Sequence, residues 1–167
     1  MNFRTACLVS TLAAVISVGC GKKETPQTRP GLSAPRTFPH VIAVTPATPH
    51  KIGNFDSSQN ALVSKQNERG ALVFGPYLPL EPGNYRAVFK LTAEGSGDKA
   101  VGSVDVNAFS DAKHVNRVAA ADLKPAAGEQ RVTLDFESAA GMRYEFRVWA
   151  NGKGALSAKE VVIEQRG

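Results

Sequence analysis

Five runs of this chain alternate apolar and polar residues with a period of two, and no stretch carries a convincing helical period. In Tyr85–Leu91 the residues Tyr85, Ala87, Phe89 and Leu91 share one side, with Arg86 and Lys90 on the other. Gly102–Ala108 sets Gly102, Val104, Val106 and Ala108 against Ser103, Asp105 and Asn107. Arg131–Glu137 would bury Val132, Leu134 and Phe136; Met142–Val148 would bury Met142, Tyr144, Phe146 and Val148; Lys159–Glu164 would bury Val161 and Ile163. Successive side chains of a strand point to opposite faces, so each run reads as a strand with one apolar face. Turn formers separate them: Glu81-Pro-Gly-Asn84, Glu94-Gly-Ser-Gly-Asp98, Pro125-Ala-Ala-Gly128, Ala139-Ala-Gly141 and Asn151-Gly-Lys-Gly154. Pro82 and Gly83 suit the central positions of a type II turn. An apolar sheet face needs a second sheet to cover it. The predicted fold is all-β: an antiparallel two-sheet β-sandwich of seven to nine strands, arranged as a jelly roll.

The two cysteines constrain the rest of the chain. Met1-Asn-Phe-Arg4 is a short basic start, Thr5 to Val18 is uncharged and apolar, and Ser17-Val-Gly-Cys20 closes the run before Gly21-Lys-Lys-Glu24. This pattern resembles a bacterial lipoprotein signal. The resemblance implies that residues 1–19 are cleaved and that the Cys20 thiol carries a diacylglycerol, with acyl chains such as palmitate holding the exported protein to a membrane. Such signals usually have Leu, Val or Ile three residues before the cysteine; here Ser17 stands there, with Ile16 one place earlier. An ordinary secretory signal and an uncleaved anchor are the alternatives, and the uncharged stretch is short of the ~18–20 residues of a comfortable span. Gly21 in place of aspartate favours the outer membrane in a Gram-negative cell. With Cys7 removed and Cys20 lipidated, the folded part keeps no cysteine, which excludes disulfides and thiolate-metal or redox chemistry.

Gly21 to Pro49 holds six of the ten prolines and shows little periodicity. Residues 20–49 therefore read as the lipidated cysteine and a tether, with a flexible reach of about 30 Å. Val41-Ile-Ala-Val44 within it is a candidate first strand. The sandwich domain is expected over residues 50–167, about 118 residues, a common single-domain size. The formal charge of +5 is spread along the chain. Without a stripe of basic residues interleaved with aromatics, and with export expected, no nucleic-acid partner is predicted.

Arg69-Gly-Ala-Leu-Val-Phe-Gly-Pro-Tyr77, then Leu80, Pro82, Gly83 and Tyr85, is similar to a widespread bacterial module of the galactose-binding-like, carbohydrate-binding-module type. Those modules often carry Tyr-Gly-Pro-Tyr followed by Leu-x-Pro-Gly-x-Tyr; here Phe74 replaces the first tyrosine. Glu145-Phe-Arg-Val-Trp149 with Asn151-Gly152 resembles the penultimate strand of the same modules. The resemblance spans most of Arg69 to Gln165 and implies sugar binding without chemistry. Alternation puts Trp149 on the outward side with Arg143, Glu145 and Arg147, and an exposed indole beside charged groups can stack on a pyranose while its neighbours hold the hydroxyls. The competing reading has Trp149 covered by the Asn151–Gly154 turn or the amino-terminal segment. Tyr77 is either a ligand contact or a core plug with its hydroxyl at the rim. Asp105 and Asn107 either bond hydroxyls or merely solvate a sheet face.

No catalytic residues are predicted. His40, His50 and His114 have no partner at metal-ligand spacing, and no nucleophile elbow, phosphate loop or clustered acid pair is present. Asp56-Ser-Ser-Gln-Asn60 offers oxygen ligands but too few carboxylates for a calcium loop, so no metal or cofactor is expected. The sequence thus points to a lipid-anchored, non-catalytic binding module for cell-envelope or extracellular carbohydrate. The alternative is a structural lipoprotein docked on an envelope or secretion complex through Trp149.

Overall fold

The computed structural model describes Ala34, residues 37–111 and residues 113–167. The expected signal peptide, Cys20 and most of the tether lie outside the described residues. Within them are eleven strands and no helix: β1 (His40–Ala43), β2 (Asn54–Asp56), β3 (Ala61–Ser64), β4 (Arg69–Val73), β5 (Leu78–Pro79), β6 (Gly83–Glu94), β7 (Gly102–Ser110), β8 (Lys113–Leu123), β9 (Gln130–Ser138), β10 (Arg143–Asn151) and β11 (Ala155–Arg166).

All pairings are antiparallel. One sheet runs β2-β3-β11-β6-β9, with β1 also paired to β11; the other runs β4-β10-β7-β8, with β5 also paired to β10. The architecture is the two-sheet jelly-roll sandwich that the alternation predicts. The strand count exceeds seven to nine because β1, β2 and β5 are only two to four residues long, too short to show a period of their own.

Register turns the alternating residues into two apposed apolar faces. In the first sheet Ala87 lies opposite Ile163 and Phe89 opposite Val161. In the second, Val104 faces Val148 and Val106 faces Phe146 across β7 and β10. Phe136 bridges the layers, with its ring 5.9 Å from Tyr85, 5.4 Å from Tyr144 and 6.1 Å from Phe146. Each such large side chain contributes roughly 1.5–3 kcal/mol on burial, which is how a domain without cross-links holds together.

The Pro82–Gly83 corner departs from expectation. Gly83 has φ +154° and opens β6 directly, whereas a type II turn needs about +80° there. The Tyr85 hydroxyl instead fixes the corner by donating to the Glu81 carbonyl at 3.0 Å.

The sheets differ on their outer sides. The β6–β9–β11 side carries opposed charges: Arg86 with Asp135 at 2.7 Å, Lys159 with Glu129 at 2.9 Å, and Lys90 with Glu160. Water reaches all of these pairs and screens them, so they add little to stability. The outer side of the second sheet is built differently.

Candidate functional site

Arg143, Glu145, Arg147 and Trp149 alternate with the core residues Tyr144, Phe146 and Val148, so β10 presents them outward. Their partners on β7 are Phe109, Asn107, Asp105 and Ser103. β8 adds His114 opposite Phe109 and Arg117 opposite Asn107. On the other flank Leu78 pairs with Tyr144, which puts Tyr77 beside Glu145. Phe74 follows the core-facing Val73 and so emerges on the same side, with Lys51 Nζ 5.8 Å over its ring.

Asp105 is the centre of this face. Its carboxylate accepts from Arg147 Nε at 2.8 Å and from an Arg147 terminal nitrogen at 2.9 Å. It also accepts from Asn107 Nδ2 at 2.6 Å, and Arg117 Nε stands 3.4 Å away. Two parallel bonds from one guanidinium to one carboxylate fix both groups in orientation. Bonding to Asp105 pushes the Arg147 guanidinium above its ordinary pKa, so it is a permanent cation. His114 Nε2 lies 3.2 Å from Asn107 Oδ1, which ties β8 to the network.

Aromatic rings stand at both ends of the polar centre. Trp149 is 44% exposed, and Tyr77 is 41% exposed. Tyr77 meets the Phe109 ring edge-on at 4.9 Å, and Phe109 meets His114 at 5.3 Å. Glu145 and Trp149 are four residues apart on one strand, so the two aromatic stations are separated by about 13 Å. An open face of this kind can stack apolar ring surfaces at its ends and exchange hydrogen bonds between them.

The sequence-predicted residues fall together on this face, with one correction. Asp105 and Asn107 do lie on the outward side, yet they are only 3% and 1% exposed. They solvate nothing: Arg147, Arg117 and His114 cover them, because a carboxylate held by two guanidinium bonds is better satisfied than one in partial contact with water. Trp149 is not covered by the Asn151–Gly154 turn, and Tyr77 is not a core plug. Sequence reasoning put Glu145 on the outward side without giving it a role, named Phe74 and His114 without placing them here, and passed over Phe109 and Arg117. Phe109 had a signal, an aromatic at an outward position of its strand, as Trp149 is.

Among the described residues no group of three His, Cys, Asp or Glu side chains could hold a metal. In Asp56–Asn60 both Asp56 oxygens are taken, by the Ser58 amide and hydroxyl and by Gln59.

No protein-family model and no curated protein matches the chain. Solved structures do. The apo BiXyn10A CBM1 structure superimposes with a TM-score of 0.50 at 12% identity, covering 77% of this chain and 98% of that one. A family 16 carbohydrate-binding module gives 0.42 at 12% identity, covering 78% and 86%. A carbohydrate-binding module from Cellvibrio mixtus lichenase 5A in complex with cellotriose gives 0.39 at 10% identity, covering 62% and 74%. The likeness is one of fold: these neighbours are carbohydrate-binding modules with a β-sandwich.

Proposed function

We propose that the outer face of the β4–β10–β7–β8 sheet binds carbohydrate without chemically altering it. The observation that carries this reading is the arrangement on that face: exposed Trp149 at one end, Tyr77 against Phe109 at the other, and the Arg147–Asp105–Asn107 network between them. A sugar ring offers an apolar C–H face to the aromatics and a rim of hydroxyls to the charged groups. The network is bonded in advance, so little side-chain freedom is lost when a ligand arrives. The carbohydrate-binding modules among the structural neighbours support the reading at the level of fold.

The resemblance of residues 1–20 to a lipoprotein signal supports a protein exported to the cell envelope, with the outer membrane favoured in a Gram-negative cell, anchored through lipid on Cys20 and presenting the sandwich on the following linker. Among the described residues no helix is long and apolar enough to cross a membrane. Fatty-acid analogue labelling of the intact cell should be lost in Cys20→Ser, and labelling that persists would remove the anchor.

The binding claim is tested on an array of envelope and plant polysaccharides with the full chain in mild detergent. Trp149→Ala should weaken the captured glycan by about tenfold or more, the ~1.4 kcal/mol or more expected of a lost stacking contact, while unfolding shifts by less than about 0.5 kcal/mol because the indole is exposed. Binding that survives the substitution unchanged, or no binding to any polymer, sinks the reading.

A further inference from the structure

The charged groups on the binding face are unevenly paired. Asp105 and Glu145 offset Arg147 and Arg117: Asp105 bonds Arg147 directly, Arg117 stands 3.4 Å from it, and Glu145 stands 3.8 Å from Arg147 Nε. Arg143 is left over. Among the described residues it has no carboxylate within ion-pair distance, and its one bond, to the Tyr77 carbonyl, is a long 3.4 Å. Lys51, over the Phe74 ring, likewise has no carboxylate partner among the described residues. Arg143 lies at the Tyr77 end of the face, whereas the Lys51 backbone bonds Ala71, which pairs with Trp149. Arg143 sits directly across from Phe109, whose ring meets Tyr77.

We propose that the ligand carries a carboxylate on the sugar that occupies the Tyr77–Phe109 end, and that Arg143 binds it. This rests on the carbohydrate-binding reading above and names the class of sugar: a uronate. A guanidinium presents parallel N–H donors that match a carboxylate, and an unpaired one beside an aromatic wall is placed to take that group while the rings take the sugar face. Glu145 completes the selection. It is 4% exposed and stands 3.8 Å from Arg147 Nε. A carboxylate accepts several hydrogen bonds, and a ligand hydroxyl next to the bound uronate carboxylate would add one there.

The test uses the full chain in mild detergent, titrated with polygalacturonate and alginate, each with carboxyls free and esterified, and with neutral xylan and dextran sulfate. The free-acid form of one polyuronate should bind about tenfold or more tighter than its ester, the range of a charge-assisted bond. Arg143→Gln should abolish that preference and Arg143→Lys should restore part of it. Arg166→Gln, which removes the same charge from the other sheet, should leave it intact. Equal affinity for free and esterified polymer overturns the uronate assignment. So does a preference that Arg143→Gln leaves unchanged, or dextran sulfate binding as tightly as the polyuronate. Tight, Trp149-dependent binding of xylan with no such preference would do the same while leaving carbohydrate binding standing. Failure of every polymer, neutral ones included, would remove both.

Discussion

Asp105 shows what a single residue does on this face. Its carboxylate holds Arg147, Asn107 and, at longer range, Arg117, so a change there acts on the shape of the site. Asp105→Asn should destabilise the domain by about 1–3 kcal/mol, since it leaves a half-buried guanidinium short of its partner, and urea unfolding measures the loss. Glycan affinity should fall as well, although the residue itself is nearly sealed from solvent. In the core, Phe136→Ala should cost about 3–5 kcal/mol by opening a void among Tyr85, Tyr144 and Phe146, read from the same unfolding curves. Much of this residue-level detail was out of reach of the sequence. Alternation gives the side of a strand but not what lies over it, and the burial of Asp105 depends on Arg117 and His114, which arrive from another strand.

At the scale of elements five of the six long strands were legible; the eleven residues of β8, read as a loop around His114, were not, because most of its positions are exposed and carry no apolar alternation. β6, β7, β9, β10 and β11 repeat the apolar–polar period over nine to twelve residues, whereas two- to four-residue strands have too few positions to display it. β8 is instructive. Its pairing with β7 slips at Val106/Asn107 and again at Ala108/Phe109, two irregularities that twist this edge strand and discourage a second chain from adding to it. At the opposite side β1 pairs with β11 from His40 to Ala43, and Val44 behind it is buried. A fragment beginning at residue 50 should therefore be less stable than one beginning at residue 37 by about 1.5–3 kcal/mol for Val44 alone. Parallel urea denaturation of the two fragments checks it, and equal midpoints would show that β1 contributes nothing.

For the molecule as a whole, the sign of its pH response follows from three exposed carboxylates. Asp56 is held below its ordinary value by bonds from Ser58 and Gln59, Asp135 by Arg86, and Glu129 by Lys159. Each binds protons less readily folded than unfolded, so the stability it lends is present above the ordinary carboxylate range, near pH 4, and is lost as pH falls through the depressed values. Tyr85 acts at the other extreme, where burial raises its phenol; its contribution is full below about pH 10 and drains away above it. Melting temperature should hence be flat through neutrality and drop on both flanks, and a melting point still rising below pH 4 would contradict these assignments. The two-layer plan itself was visible from composition and period, because a sheet with one apolar face admits few ways of covering it.

The attachment of β1 to the sheet opposite the aromatic face has a mechanical side. On the proposed anchoring at Cys20 and glycan binding, a pull arriving through the chain ahead of Thr37 would enter at His40 and load the four residues of β1 before crossing the packed interior to the aromatic face. That strand would peel first, paying out slack while the gripping surface kept its form, so the module would behave as a tether with a built-in fuse.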